Sequence, residues 1–581
     1  MKLPFRLTAG ALTLALFALG ACGDDPVDPP DVPDPPLGLQ VTPLSTTGLQ
    51  IRFNGRAADD DYTIERAEAS GGTFTTVTTI DAPATDGQLM YDDTVLEIET
   101  AYKYRVKANR GGQSSNYTSE ITGTTNPPGL FTRSVTGDIT TNTTWYRDTV
   151  YTLSGFIHVG NGATLTIESG TRIVGDFNTL GSSLFVLRGA KIMAIGTADL
   201  PIVFTSSQAA GTRQAGDWGG LILVGNAVDN RTGVEVEIEG TNTDAGTTPG
   251  TNYRIVYNGG TTNTDNSGEL RYVRVEFAGY APSVNNELNS FSFAAVGSGT
   301  RLSYLEALAG LDDSFEFWGG AVDGTYLVSY EAGDDHFDMS EGYHGRLQYL
   351  IALQSFRLTP RTGAGSPSSD PQGIENDGCD GAGCTNGRNT VPYTTPVVAN
   401  FTLVGTNDAA TSGSSGGYGM MLRRGTGGYY VNGVVARWPR GSISLRDAET
   451  FLRAANAATP DMATTDLAVS NILMLESPLA FQAGAGQNAF DLGGNALVLD
   501  AAATVSDIFT AFPASITAAT TEAEFDWTPK AASAAASGGL AAFTGKLATA
   551  AGSVVTGASF RGAVNPAGPK WFQSWTYYRQ N

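Results

Sequence analysis

What this chain has little of narrows its possible roles. Only three cysteines and three histidines occur in 581 residues. A zinc reading at the cysteines would need further soft ligands nearby, and none is evident. Bases are scarce, 35 against 58 acids, and the net charge of −23 argues against nucleic acid, whose phosphates demand clustered Lys and Arg. Charged residues are only 16% of the total and hydrophobic ones 41%, which excludes a disordered acidic tail. One long apolar run exists, at the start, so a polytopic helical membrane protein is excluded. No His-Glu-x-x-His pair or phosphate loop occurs. What is abundant is glycine, with 72 residues, in a chain long enough for two or more domains.

Lys2 and Arg6 precede the apolar stretch Leu7 to Ala18, which is short for a membrane span and has the form of a signal peptide over residues 1–21. The run closes with Leu19-Gly20-Ala21-Cys22, which resembles the bacterial lipobox; the alternative is a plain secretory peptide with a chance cysteine. The resemblance implies cleavage before Cys22 and lipidation of its thiol, with membrane lipid as a partner. Gly23 after the cysteine favours the outer membrane by resemblance to enteric sorting rules, and places the protein there or at the cell surface. Lipidated Cys22 opens a stalk, residues 22–36, whose last fourteen residues hold six prolines and five aspartates. Such a segment is extended, at about 3.1 Å per residue, and lifts the next domain by up to about 40 Å.

Residues 37–126 carry short alternating runs between turn signals: Leu49–Phe53, Tyr62–Arg66, Phe74–Val77 and Tyr102–Ala108. That rhythm predicts a β-sandwich. The stretch resembles a fibronectin type III domain. The resemblance implies that Tyr102 is its corner tyrosine and Leu96 the leucine before it, with Phe53 where the family often has tryptophan.

From residue 130 to 581, Gly-, Thr- and Asn-punctuated apolar strands repeat. Tyr304-Leu305, Tyr326-Leu327 and Tyr349-Leu350 recur at 22 and 23 residues, and Asp312-Asp313 is echoed 22 residues later by Asp334-Asp335. A period in the twenties with strand-like alternation predicts a β-solenoid, one coil per repeat. Gly162–Thr171, Arg188–Ile192, Pro201–Ser206, Asp217–Leu223, Leu270–Gly279 and Gly373–Asp377 resemble segments of the right-handed parallel β-helix of the pectin-lyase-like superfamily, and more narrowly of bacterial surface β-helix lipoproteins. The fold class expected is therefore all-β: a fibronectin type III-like sandwich followed by a right-handed parallel β-helix. The resemblance implies fold and location, not a reaction.

The acidic double repeat is the candidate site. Alternation places Phe315, Phe317, Phe337 and Met339 in the core. Asp312, Ser314 and Glu316, and one coil later Asp334, His336 and Asp338, then share the outer face, with Asp313 and Asp335 in the preceding turns. Carboxylates stacked about 4.8 Å apart repel by about 3.5 kcal/mol at an effective dielectric of 20. Three readings follow. The acids are solvated turn residues; or Asp312, Glu316, Asp334 and Asp338 bind calcium; or a carboxylate pair cleaves polysaccharide. Catalytic candidates for the last are Asp312, Asp334, Asp335 and Asp338, assisted by His336, His344 or Arg346. Asp334-Asp335 followed by His344-Gly345-Arg346 resembles part of the polygalacturonase pattern, although that family's Asn-Thr-Asp and Arg-x-Lys motifs are missing nearby. Cys379 and Cys384 can close a Gly-rich loop as a disulfide, contributing about 2 kcal/mol. Residues 360–390 read as an excursion from the coils, and the Ala-rich 531–551 with Lys570–Tyr578 as a cap on the last coil.

The functional expectation is a lipid-anchored surface protein for adhesion or polysaccharide binding, with polysaccharide or surface proteins as partners and no nucleic acid. A carbohydrate-active enzyme is the alternative, and a structural surface-layer component the second.

Overall fold

The computed structural model describes residues 32–241, 254–283, 286–454, 465–482 and 496–579. The signal peptide, Cys22 and the stalk as far as residue 31 lie outside the described residues. No helix of the described residues is long and apolar enough to cross a membrane. The chain divides into two compact units, Met1–Asn126 and Pro127–Asn581.

The first unit is a fibronectin type III-like sandwich. Leu37–Ser45, Gly48–Gly55 and Gly87–Asp93 form one antiparallel sheet. Asp61–Glu68, Thr75–Asp81, Ala101–Arg110, Gln113–Ser114 and Ile121–Thr124 form the other. Alternation in Ala101–Arg110 sends Tyr102, Tyr104, Val106 and Ala108 inward against Leu49, Ile51 and Ile64. The Tyr102 hydroxyl accepts the Glu97 N–H at 3.0 Å beside buried Leu96, which ties the corner as expected. Phe53 is fully buried, 5.2 Å from the Tyr62 ring.

The second unit is a parallel β-helix. One coil runs Phe291–Ala294, then Arg301–Leu308, then Phe315–Trp318, where the next coil begins. The first and third of these strands belong to a ten-stranded parallel sheet, from Phe156–Val159 to Phe481–Gln482; the middle one belongs to a seventeen-stranded sheet. Early coils supply that larger sheet with two short strands, such as Thr164–Ile167 and Arg172–Gly175. From Gly268–Glu276 to Val397–Val404 the two merge into one bent strand, and they separate again as Gly428–Val431 and Val434–Ala436.

The bend has a recurrent cause. Tyr272, Tyr304, Tyr326, Tyr349 and Asn400 occupy the bend in successive strands, all with φ between +50° and +66°. Asparagine accepts this left-handed backbone readily, whereas tyrosine does so at a cost. The tyrosines offset it by stacking, with centroids 4.3, 4.5 and 5.0 Å apart. Inside, Phe291, Phe315 and Phe337 stack at 5.0 and 5.3 Å, and Phe317 and Met339 are fully buried beside them.

Two expectations are corrected. The 360–390 stretch is not one excursion: Ile374–Asp377 is a rung of the ten-stranded sheet, paired to Phe337–Ser340 and Tyr418–Arg423. Nor does the C-terminal segment sit over the last coil. Asn471 donates to the Gly538 carbonyl at 2.9 Å, Asn432 accepts the Leu540 N–H at 2.6 Å, and Asn400 donates to the Gly562 carbonyl at 3.3 Å. Trp571 then packs on Tyr326, and Trp575 on Tyr304 and Tyr272. The segment thus runs back along the flank, against the order of the coils. The left-handed column exposes side chains and backbone polar groups that this segment satisfies.

Candidate functional site

The acidic repeat lies on the outer side of the ten-stranded sheet, and the turns before its strands are built first. Asn289 Oδ1 accepts the Asp313 N–H at 3.1 Å, and Asp313 Oδ1 accepts the Asp335 N–H at 2.8 Å. Asp335 accepts the Gln372 N–H, and Gln372 Oε1 accepts the Tyr418 N–H at 2.9 Å. Each side chain therefore holds the backbone of the next coil. Asp313 and Asp335 do sit in the turns before their strands, where they spend one oxygen each on this ladder.

Beside it runs a row of outward carboxylates. Glu316 is in register with Asp338, and Asp338 with Glu375. Asn289 donates to Glu316, and Arg423 pairs with Glu375 and, at 2.9 Å, with Asp377. Two further acids reach the same place from other segments, Glu239 and Glu287. Together they enclose a cavity of 570 Å³, lined also by Asp312, Asp334, Asp370 and Ser366–Ser369. Among the described residues, ten carboxylates face it, with Arg423 the one cationic side chain in its lining.

The row is half-buried rather than freely solvated: Asp312, Asp334 and Asp338 keep partial exposure, while Glu316 and Glu375 are buried. Residues 229–241 and 254–260 form a roof: Ile238, Ile255 and Tyr257 pack on Phe185 and Ile222 of earlier coils and on Trp318, two residues beyond Glu316 in the same strand. Burial, the dominant cause, and repulsion between neighbours push Asp334 up to about 7 and Asp338 and Glu239 up to about 8. Asp338 also feels Asp377, and Glu239 feels Glu287. Asp312, Asp313, Glu316, Asp335 and Glu375 are likewise held well above the carboxylate range. Asp334 Oδ1 and Asp338 Oδ1 are wholly buried with no hydrogen-bond partner among the described residues.

Four triplets bring their oxygens within 4.8 Å of one another: Glu239, Glu287, Asp312; Asp312, Asp313, Asp334; Asp313, Glu316, Asp338; and Asp335, Asp338, Glu375. Calcium–oxygen distances are about 2.4 Å, so two oxygens on one ion lie at most about 4.8 Å apart. The triplets meet that limit.

The other expected residues are elsewhere. His336 is not on the outer face with Asp334 and Asp338: it is buried at a corner, Nδ1 2.6 Å from Ser329 Oγ and edge-on to Trp438. Ser314, one coil earlier, is fully buried too. Strand alternation starts only at Phe315 and Phe337, so it does not govern the residue before. Burial lowers the His336 pKa to about 3 and keeps the ring neutral. His344 contacts the Gly342 carbonyl at 3.0 Å and Asn263 at 3.2 Å. Arg346 binds both oxygens of Asp323 at 2.7 Å. None of His336, His344 and Arg346 lines the cavity, so the fold does not assemble them with the aspartates. Cys379 and Cys384 are joined as a disulfide.

Over residues 137–528 the chain matches the family model described as Pectate-lyase like beta helix domain. The chain belongs to this family. Within this pectate-lyase-like β-helix the matched stretch contains the whole acidic cavity. No curated protein matches the chain. Among solved structures, domains A168–A170 of titin align at 20% identity over 17% of this chain and 34% of theirs, with a TM-score of 0.15. FN3tt aligns at 26% identity over 16% of this chain and 97% of its own, TM-score 0.14. An Fn3-like protein from Clostridium thermocellum aligns at 26% identity over 16% and 91%, TM-score 0.14.

Proposed function

We propose that the protein is a lipid-anchored envelope protein that binds polysaccharide, and that the acidic cavity, loaded with calcium, is its binding site. The observation that carries this reading is the set of carboxylate triplets in one cavity, with buried oxygens on Asp334 and Asp338 that no donor among the described residues meets. Those oxygens need a proton or a cation. Asp312, Glu316, Asp334 and Asp338 belong to the triplets and supply the ligands. A cation also makes the site receptive to an acidic glycan, which ten carboxylates would otherwise repel. Membership of a pectate-lyase-like β-helix family fits carbohydrate as the ligand.

Calcium titrated into EGTA-treated ectodomain should raise its melting temperature, and a glycan array should show binding with calcium that EGTA abolishes. An unchanged melting temperature and calcium-independent binding would each refute the cation. For the anchor, Cys22→Ala should release the protein from the membrane fraction, and retention would contradict lipidation.

The second reading is a polysaccharide hydrolase or lyase. It is favoured by carboxyls raised to about 7 and 8, which keep a proton to donate near neutral pH. Reducing ends or unsaturated products, lost in both Asp334→Asn and Asp338→Asn, would establish it. A panel of polysaccharides left intact excludes it.

A further inference from the structure

We infer that the Cys379–Cys384 disulfide is a redox latch on the roof of the acidic cavity. The loop it closes, Gly378-Cys379-Asp380-Gly381-Ala382-Gly383-Cys384, has its base in the coil stack and its tip on the roof. At the base, the Gly378 N–H donates to the Arg423 carbonyl at 3.2 Å, its carbonyl accepts the Glu341 N–H at 3.3 Å, and Asp380 pairs with Arg424 at 3.4 Å. Gly378 and Arg424 directly follow, in sequence, Asp377 of the chamber beside the cavity and Arg423 of the cavity itself. At the tip, the Gly383 carbonyl accepts the Thr232 N–H at 3.0 Å, and the Ala382 carbonyl accepts the Arg231 guanidinium.

The tip is fitted to the roof closely. A Cβ on Gly383 would stand 2.7 Å from Val234 Cγ2 and 3.3 Å from the Thr232 nitrogen, and its φ of +88° suits glycine. Arg231, held by this tip, also reaches down to Glu341 at 2.7 Å, and Glu341 in turn accepts the Tyr257 hydroxyl. Roof strand pairing then carries the constraint to Glu239: the Tyr257 N–H donates to Val236 and the Ile238 N–H to Ile255. Glu239 lines both the main cavity and a 160 Å³ chamber beside it that Arg231 and Arg424 also line.

Besides its contacts at base and tip, the loop has an internal bond from the Cys384 N–H to the Gly381 carbonyl at 3.4 Å and an Asp380–Arg388 pair at 3.5 Å, so the disulfide is its one covalent constraint. Three of its seven residues are glycine, Gly381 shares the φ of +88°, and it forms no strand or helix. Without the covalent link the two carbonyls lose their fixed positions, and with them the polar tie to Arg231 and Thr232. Reduction is chemically accessible from one side, since Cys384 is partly exposed while Cys379 is buried. A thiolate of an external dithiol attacks Cys384 Sγ, and Cys379 leaves as thiolate and takes up a proton. The second thiol of the reductant then attacks the mixed disulfide, releasing Cys384 as thiol and the reductant as its own disulfide.

The test is amide hydrogen exchange on the intact protein, oxidised and after dithiothreitol, with reduction verified by intact mass. The roof, residues 231–241 and 254–257, should exchange at least tenfold faster once reduced, while Arg301–Leu308 and Ala101–Arg110 keep their protection. The Cys379→Ser, Cys384→Ser double variant should reproduce this without reductant. Gly383→Ala, which keeps the disulfide but drives the tip against Val234, should speed the roof severalfold. Unchanged roof exchange in reduced protein overturns the latch, and so does equal acceleration of the coils, which would make the bond a global staple. The inference rests on the proposed function only for what opening achieves. Failure of calcium or glycan to bind would refute that function and leave the latch standing, because exchange is read with no ligand present.

Discussion

Two outward rows of the β-helix are buried, and they are buried differently. Along the bend of the larger sheet, Tyr272, Tyr304, Tyr326 and Tyr349 stack, and the C-terminal segment covers them with Trp571 and Trp575. Buried carboxylates on that flank are fully employed. Both oxygens of Glu306 accept the Tyr577 N–H, and Glu331 accepts the Ser355 N–H, the Ser355 hydroxyl and the Tyr578 hydroxyl. On the outer side of the ten-stranded sheet, covering chain leaves a 570 Å³ space and carboxylate oxygens with no donor. The difference separates burial that completes a fold from burial that prepares a site. Raised carboxyl pKa values alone do not distinguish them, since Glu331 is pushed up to about 7 and Asp334 also to about 7. Hydrogen-bond satisfaction does.

Breaking the flank should give the largest effect. Trp575 is fully buried, and Trp575→Ala should cost about 3 to 5 kcal/mol in chemical denaturation, by the same amount with calcium or with EGTA. A loss that calcium rescues would mean the two rows are coupled.

On the cavity side the sign should reverse. Asp338→Asn removes a half-buried, mutually repelling carboxyl, so the cation-free protein should gain stability, by about 1 kcal/mol or more. The same variant should lose most of the stabilisation that calcium confers on the parent, about 2.7 kcal/mol when calcium is at 100 times its Kd. Destabilisation of the cation-free form would show that Asp338 is structural after all.

The pH dependence sharpens this. The unfolded chain releases its carboxyl protons near pH 4, while folded Asp334, Asp338 and Glu239 keep theirs to about 7 or 8. The folded state therefore binds more protons in that window, and stability falls as pH rises through it. Buried His336 acts oppositely: below about pH 6.5 the unfolded chain takes up a proton that the folded ring, at about 3, refuses. The two oppose each other up to about pH 6.5, so in EGTA the melting temperature should drop most steeply between about pH 6.5 and 8. Saturating calcium should flatten that drop, and a profile indifferent to calcium would count against a cation site.

The smallest change is on the tyrosine column. Tyr326→Asn loses two stacked pairs, each about 0.5 to 1.5 kcal/mol, but relieves a left-handed backbone that asparagine tolerates. The net cost should be about 1 kcal/mol. A stabilised variant would show that the column is held by the covering segment rather than by stacking.

Much of the coil architecture was legible because the coils around Tyr304, Tyr326 and Tyr349 are uniform in length. Their leucines, Leu305, Leu327 and Leu350, fall in register as the 22- and 23-residue spacing implies. Asp312, Asp334, Glu316 and Asp338 were legible for the same reason. Glu375 was not, because residues 354–372 intervene before its strand and break the period. Its signals were the alternation in Ile374-Glu375-Asn376 and the β-helix resemblance of Gly373–Asp377, neither of which ties it to the acidic repeat. Glu239 and Glu287 come from segments between coils, where periodicity says nothing. His336 was misplaced because alternation was extended one residue past the start of a strand. The path of the C-terminal segment rests on contacts more than 100 residues apart, such as Asn432 with Leu540, which no local pattern encodes.

The ladder of Asn289, Asp313, Asp335 and Gln372 has a mechanical meaning. Each rung clamps the backbone of the following coil, so the strands under the carboxylate row cannot drift apart to ease their repulsion. The strain must leave through the contents of the cavity instead of through its walls. The β-helix thus acts there as a ruler, presenting charge at the spacing of its own strands, and whatever settles on Glu316, Asp338 and Glu375 has to fit that rhythm.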